Sequence, residues 1–571
     1  MELIHKTIGD CLSHRARQSP DKTAMEYWNK SRCSITLGQG PHGGSARPCE
    51  GDNPDYDGAH AMDSHTTTYT WSDLDRLSDY MAVRMNALGI EKGTHAAIWS
   101  VNTPNWLITF LALQKLGAVA VLINTCYREQ ELKRVLAYGD VRYVYYGDGY
   151  KTLAYDPMVE TLKGDHTCQV RQWIPMGRDE NGSWMREDSF SDYERSQEAR
   201  ESLARLRTLV QPQDTAAILF TSGTTSFSKG VMLSHYNLVN SALGTLSFTR
   251  WNENDRLLLT VPLFHCFGIT SGLLTCIHTG AAIVLMKYFK TVKVFEHVDR
   301  YRCTVLNGVP SMFLAMIHNQ DFHKYSLKSL RSGIIAGSPI SEKEYLAVHE
   351  KLPHMALLPS FGQTETSPCV TLMLEEDPFE KRVTTAGRLI SHVELRICHA
   401  GTDRTLPEGK VGEIQVRGYN IMKGYYGMPE ETKAVLSEDG WLKTGDLGFL
   451  DPEGYLHLAG RCKEMILRCG ENIAPKEIED CIRELPFVDV VKVIGIPAPV
   501  VQEMVVACIV PVPGMRADPD KVIEFLRPRL AHYKLPSHVL ILKELPMNAS
   551  GKVLLQELKS QAIERIQGQE I

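Results

Sequence analysis

Apolar and polar residues along this chain follow two distinct periods. In YTWSDLDRLSDYMAVRMNALGIEKG the apolar positions recur every three to four residues, so Leu74, Leu77, Met81, Met85 and Leu88 share one face of a predicted helix. Ser72 stands where an N-cap is expected, and Gly89 where the helix should stop. HAAIWS follows as an unbroken apolar run, the pattern of a strand buried on both faces. NWLITFLALQKLGAVAVLIN then predicts a helix running into a second such strand. The rhythm returns with TAAILFT as a strand, GVMLSH as another and YNLVNSALGTL as a helix, and continues to about residue 400. Strand–helix–strand repetition of this kind predicts parallel sheets covered by helices.

Two stretches break the rhythm. Residues 31–68 are rich in Gly, Pro, Asp and Ser and lack apolar periodicity, so they are expected to form an exposed insertion, such as a long hairpin tip. From about residue 400, EIQVRG and GWLKTGDLGFLDPEGYLHLAGR read as short strands with Gly and Pro turns, a mainly antiparallel β subdomain. After Arg461, the segments APKEIEDCIRELP, VVKVIGIP, MVVACIVPV and DKVIEFLRPRL alternate helix with strand, which predicts a small α+β domain of about a hundred residues.

Composition narrows the class. At 571 residues the chain exceeds one core, and 43% hydrophobic with 23% charged residues is an ordinary globular balance. The net charge of −6 gives no electrostatic reason to expect nucleic acid or an anionic membrane as partner. The 14 cysteines are scattered, and the nearest cluster, Cys462, Cys469 and Cys481, fits no zinc spacing; free thiols in a reducing cytoplasm are expected. Neither a signal-peptide pattern nor an apolar run of the ~20 residues needed for a membrane span is present, so a cytoplasmic location is expected.

The densest polar-glycine run is TSGTTSFSKG, residues 221–230. Its glycines let the backbone come close to a ligand, successive N–H groups form an anion-binding concavity, and Lys229 adds a compact positive charge. It is not a Walker A loop, because Ser228 precedes Lys229 where Gly is required and Gly230 follows where Ser or Thr is required. It is also expected to join two strands. On these residues alone, a phosphate grip and a polar surface loop both remain open.

Six further motifs follow in order: PLFHCFG (262–268), AGSPI (336–340), SFGQTE (360–365), KTGDLG (443–448), GRCKEMILRCGENIAPKEIE (460–479) and NASGKVLLQEL (548–558). With the loop, they make the chain resemble the adenylate-forming superfamily, which holds acyl- and aryl-CoA synthetases, peptide-synthetase adenylation domains and luciferases. The fit is closest to the acyl-CoA synthetases, and it covers the chain apart from the early insertion. The resemblance implies an α/β fold: a large N-terminal domain of two α/β subdomains plus a β-barrel-like subdomain, residues 1–462, hinged at Lys463 to a small α+β C-terminal domain, residues 463–571.

It also implies roles. Thr221, Ser222, Gly223, Thr224, Thr225 and Lys229 would hold the β- and γ-phosphates of ATP. Glu365 matches a Mg²⁺ ligand and Thr364 an α-phosphate contact, with Gly362 and Gln363 in the same ATP-binding motif. A carboxylate beside triphosphate needs a cation between them, so Mg²⁺ is physically implied. Gly337, Ser338 and Pro339 match the strip against adenine. Phe361 stands where the family usually has Tyr; its ring can still stack, without the hydroxyl. Asp446 and Arg461 match ribose contacts. Lys552 matches the lysine that bridges the substrate carboxylate and the α-phosphate, His265 a position beside the acyl carboxylate, and Gly470 a glycine along which pantetheine slides.

The implied reaction is ATP-dependent activation of a carboxylic acid to an acyl-adenylate and then, with CoA, to a thioester, releasing AMP and pyrophosphate. A medium- or long-chain fatty acid is favoured, an aryl acid comes second, and a carrier protein is the alternative acceptor. HCFGITSGLL, NGVPSMFLAMI and SGIIAGSPI are expected to line the acid pocket. A homodimer is left open. Ser226 and Ser228 replace the usual Gly and Pro of the loop, which motivates one rival reading, a protein that binds nucleotide or acyl ligand without turnover.

Overall fold

The computed structural model describes residues 1–29, 65–176, 196–221, 228–468, 471–473, 475–498, 502–530, 532–547 and 553–567. The chain divides into two compact units. One comprises Met1–Val383, Gly387–Glu394 and Arg417–Leu442; the other comprises Thr384–Ala386, Leu395–Val416 and Lys443–Ile571.

The first unit holds two sheets. A seven-stranded sheet runs in the order Gly424–Tyr425, Lys229–Ser234, Thr215–Thr221, Val119–Leu122, His95–Trp99, Tyr143–Tyr146, Gln172–Pro175. Its last five strands pair in parallel and its first two join antiparallel. The nine-stranded sheet is parallel from Thr23–Asn29 through Ala282–Leu285, Arg256–Leu259, Val305–Leu306 and Ser332–Ile335 to Ala356–Phe361. The parallel strands are apolar because helices cover both faces, as HAAIWS and TAAILFT predict.

The amphipathic helix spans Trp71–Ala87 and buries Leu74, Leu77, Met81 and Met85. Gly89, at φ +88, stops it. Three expectations are corrected here. The N-cap is Thr70, not Ser72: the Thr70 hydroxyl accepts from the Asp73 N–H, and the Asp73 carboxylate accepts from the Thr70 N–H in a reciprocal capping box. Leu88 is exposed, because it falls past the last full turn. The insertion is also shorter than expected at its C-terminal end, since His65–Thr70 forms a strand paired antiparallel with Thr23–Asn29. Residues 31–64 of the insertion lie outside the described residues.

The second unit carries most of a four-stranded sheet ordered Val393–Cys398, Gly412–Gly418, Leu442–Leu450, Leu456–Arg461. This is the β subdomain expected from about residue 400. Beyond it, Gln502–Pro511 pairs antiparallel with Val488–Ala498 and parallel with His538–Ile541. The period-2 alternation of Gln502–Pro511 separates two cores. Val505, Ala507 and Ile509 pack with Ile478, Ile482, Val522 and Leu526 of the helices Pro475–Arg483 and Pro519–Leu526. Val506 and Cys508 pack with Leu558, Ala562 and Ile566 of the helix Leu555–Gln567. Among the described residues, no helix is long and apolar enough to cross a membrane.

Candidate active site

The glycine-rich loop joins two antiparallel strands, Thr215–Thr221 and Lys229–Ser234, with Thr221 opposite Lys229 in register. Ser222, Gly223, Thr224 and Thr225, together with Ser226, lie outside the described residues. Ser228, at the loop's exit, lies beside the Tyr127 side chain.

Lys229 leads to a carboxylate. Its Nζ lies 4.5 Å from the centroid of the Tyr425 ring, and the Tyr425 hydroxyl donates to Glu365 Oε1 at 2.9 Å. Burial and the adjacent Glu365 charge push the Tyr425 phenol far above its ordinary range, so it stays protonated and is the donor. Glu365 is half-buried within the 3₁₀ turn Thr364–Thr366. Its backbone carbonyl accepts from Met422 N–H at 2.9 Å. The turn is closed locally, because Gln363 N–H donates to Thr366 Oγ1 at 3.0 Å.

Among the described residues, no group of three or more His, Cys, Asp or Glu side chains is placed to hold a metal. A single hard carboxylate fits Mg²⁺ nevertheless, since that ion is commonly held by one or two carboxylates plus substrate phosphates and waters.

Sterics explain the glycine of SFGQTE. A Cβ on Gly362 would meet the Pro368 carbonyl oxygen at 1.7 Å. Phe361 is buried and pairs with Thr371 in the adjacent strand. Gly337, at φ +90, follows the strand Ser332–Ile335 and is exposed together with Ser338 and Pro339.

His265 is exposed rather than packed in the core, with its ring 4.6 Å from that of Phe264. The next residue links two motifs: Cys266 Sγ lies 3.9 Å from Thr364 Oγ1. Burial pushes the Cys266 thiol up to about 12, which leaves it neutral and a poor nucleophile. Beyond it, Ile269–Leu274 forms a buried π-helical turn. Asn307, itself buried, donates to the Ser271 carbonyl at 2.8 Å and accepts from Ile334 N–H at 2.9 Å. One side chain thus ties together the three segments expected to line the acid pocket.

In the second unit, Asp446 and Arg461 face each other across paired strands, and Arg461 Nε donates to Asp446 Oδ1 at 2.9 Å. Gly445, at φ +71, makes the bend before Asp446. Lys463 lies in the 3₁₀ turn Cys462–Glu464 that follows. Gly470 and Lys552 lie outside the described residues.

Sequence reasoning missed Tyr425 and Asn307. The Tyr425–Glu365 bond spans 60 positions, and the Asn307 bonds span 36 and 27. No local pattern reports contacts at that range. The MKGYYG stretch offers only an aromatic pair ahead of a proline.

These features define an α/β protein with a glycine-rich loop in its larger unit and a second, smaller unit that includes the C-terminal residues. The chain belongs to the AMP-binding enzyme family, which it matches over residues 51–426, and its residues 477–552 match the AMP-binding enzyme C-terminal domain. YngI of Bacillus subtilis (strain 168), whose name proposes an acyl-CoA synthetase, is 34% identical, over 99% of this chain and 98% of that protein. The mitochondrial medium-chain acyl-CoA ligase ACSF2 of Bos taurus is 29% identical, over 98% of this chain and 88% of its own. The 4-coumarate–CoA ligase CCL1 of Humulus lupulus is 30% identical, over 86% and 89% respectively. Among solved structures, ATP-bound MatB from Rhodopseudomonas palustris superposes with a TM-score of 0.78 at 25% identity, covering 97% of this chain and 98% of that one.

Proposed function

We propose that this protein is an AMP-forming acid–CoA ligase that activates a medium- or long-chain fatty acid. The observation that carries this reading is the junction of Lys229, Tyr425 and Glu365. It sets a cation over the face of one ring and a carboxylate at that ring's hydroxyl, at the exit of a glycine-rich loop. Lys229 and the loop residues Thr221 to Thr225 bind the β- and γ-phosphates, and Thr364 contacts the α-phosphate. Glu365 would hold Mg²⁺, which when bound would neutralise the charge that builds on departing pyrophosphate. Gly337, Ser338, Pro339, Phe361, Gly362 and Gln363 form the adenine side, and Asp446 with Arg461 receives the ribose.

The substrate carboxylate oxygen attacks the α-phosphorus, and the bond to pyrophosphate breaks. Lys552 lies between the two anions and lowers their repulsion. Residues 463–571 then turn about Lys463 as the C-terminal domain, which withdraws Lys552 and brings the Gly470 face to the site. The CoA thiolate attacks the acyl carbonyl, and the bond to AMP breaks. His265 borders the acyl carboxylate. The uncharged composition of the three pocket segments tied by Asn307 supports an alkyl chain. The likeness to a 4-coumarate–CoA ligase supports an aryl acid as second reading. The cytoplasm, as the site of ATP and CoA, suits this chemistry.

Separated half-reactions test the assignment. Lys552→Ala is expected to lose acid-dependent pyrophosphate release while still forming thioester from synthetic acyl-adenylate. Equal loss of both halves in a folded variant removes Lys552 from the role. Pyrophosphate release across fatty acids of graded length, benzoates and cinnamates identifies the acid. Absence of release with every acid favours the binding protein without turnover.

A further inference from the structure

Tyr425 stands between two groups of opposite charge, and both contacts use the same ring. Its hydroxyl donates to Glu365 Oε1 at 2.9 Å, while Lys229 Nζ sits 4.5 Å from the ring centroid. The ring is fixed from several directions. Tyr425 pairs in register with Val231, on the strand that leaves the loop. Its N–H donates to Thr432 Oγ1 at 2.9 Å. The N–H groups of Lys423 and Tyr426 donate to the carbonyls of Met232 and Gly230 at 2.9 and 2.8 Å. Met422 N–H holds the Glu365 carbonyl at 2.9 Å. One short segment therefore sets the position of both the lysine and the carboxylate.

The two contacts are chemically linked. A phenol that donates to a carboxylate becomes more electron-rich, and an electron-rich ring holds an ammonium more firmly. A cation that engages the carboxylate weakens its pull on the phenolic hydrogen. The ring then loses part of its hold on the ammonium, which is freed toward an incoming phosphate.

We propose that Tyr425 is a positioning residue that couples Glu365 to Lys229, so that magnesium and the terminal phosphates of ATP are captured as one unit. The inference rests on the roles proposed above for Glu365 and Lys229. It goes beyond them in making divalent-ion and phosphate recognition interdependent through an aromatic ring. Such a coupling is reciprocal: each partner raises the affinity of the other by the same factor.

The test is calorimetric binding of ATP to the full-length protein, with excess Mg²⁺ and with EDTA. The readout is the ratio of the two dissociation constants. Tyr425→Phe keeps the ring and removes only the hydroxyl. It is expected to shrink the magnesium-dependent gain in ATP affinity by about fivefold or more, while affinity in EDTA stays within about twofold. In a Glu365→Gln background, Tyr425→Phe should change the ratio no further. An unchanged gain in Tyr425→Phe overturns the proposal. So does an equal loss with and without Mg²⁺, the mark of a merely structural role, or an undiminished effect in the Glu365→Gln background. Thermal melts of each variant accompany the titrations. If the unmodified protein shows the coupling but releases no pyrophosphate with any acid, the proposed function falls and this inference stands. If it releases pyrophosphate while Tyr425→Phe keeps the full gain, the inference alone falls.

Discussion

Gly362→Ala is the sharpest perturbation of the site. The added Cβ would sit 1.7 Å from the Pro368 carbonyl oxygen, 2.7 Å from its carbon and 3.1 Å from Cys369 Cα. An ordinary C···O approach is about 3.3 Å, so roughly 1.6 Å of overlap must be relieved. Every atom met is backbone, so no rotamer change helps. The strands are held on both sides of the clash, because Phe361 pairs with Thr371 and Val370 N–H donates to the Phe361 carbonyl at 2.9 Å. Relief therefore separates the segment that carries Thr364 and Glu365 from the one that carries Cys369. Overpacking of this kind costs about 1–3 kcal/mol, and displacement of reacting groups by about 1 Å costs on the order of 10²-fold in rate. Acid- and ATP-dependent pyrophosphate release, measured beside a thermal melt, should show about a hundredfold loss of kcat/KM and a lower Tm. A variant within threefold of the unmodified enzyme, melting at the same temperature, would refute the steric argument.

Acid should destabilise the fold through His235 and His278, which burial lowers from 6.5 to about 4. Both are neutral when folded, and His235 Nδ1 accepts from Ile8 N–H. The unfolded chain takes up protons first, so stability is full above pH 6.5 and falls toward pH 4 by about 1.4 kcal/mol per unit for each group; a urea midpoint that is flat over this window, or a slope that His235→Gln fails to reduce, contradicts it. Asn307→Leu leaves the Ser271 carbonyl and the Ile334 N–H without their buried partner, at about 1–3 kcal/mol each, and should lower Tm and blur the acid chain-length profile; a sharp profile in a less stable protein limits Asn307 to stability. Ser226→Gly combined with Ser228→Pro should lower the KM for ATP, while equal kinetics would make the two serines neutral.

Much of this architecture is written in local pattern. The buried strands and the Trp71–Ala87 helix follow from apolar periods, which packing then reinforces. The displaced N-cap was not separable by spacing: Thr70 has Asp73 and Ser72 has Asp75 three positions on, so both fit a capping box, and only the folded backbone shows that Thr70 is the cap. The site divides differently. Motif order picks out Glu365, Gly362 and Lys229, because their chemistry is stated by residue type. Tyr425 and Asn307 act through partners far along the chain, so only the folded backbone names them. The π-helical turn Ile269–Leu274 is equally silent, since its mix of apolar, hydroxyl and glycine residues reads like any buried helix.

The pairing of Thr23–Asn29 with His65–Thr70 has a consequence for engineering. Asn29 and His65 are register partners, so the residues between them enter and leave the sheet at a single point. Register partners are the positions that a two-residue turn such as Asn-Gly can join. Joining Asn29 to His65 by such a turn is therefore expected to keep Thr23–Asn29 and His65–Thr70 in register, which an unchanged Tm would check. The register thus marks one place where the length of the chain could change with the strand pairing on either side kept.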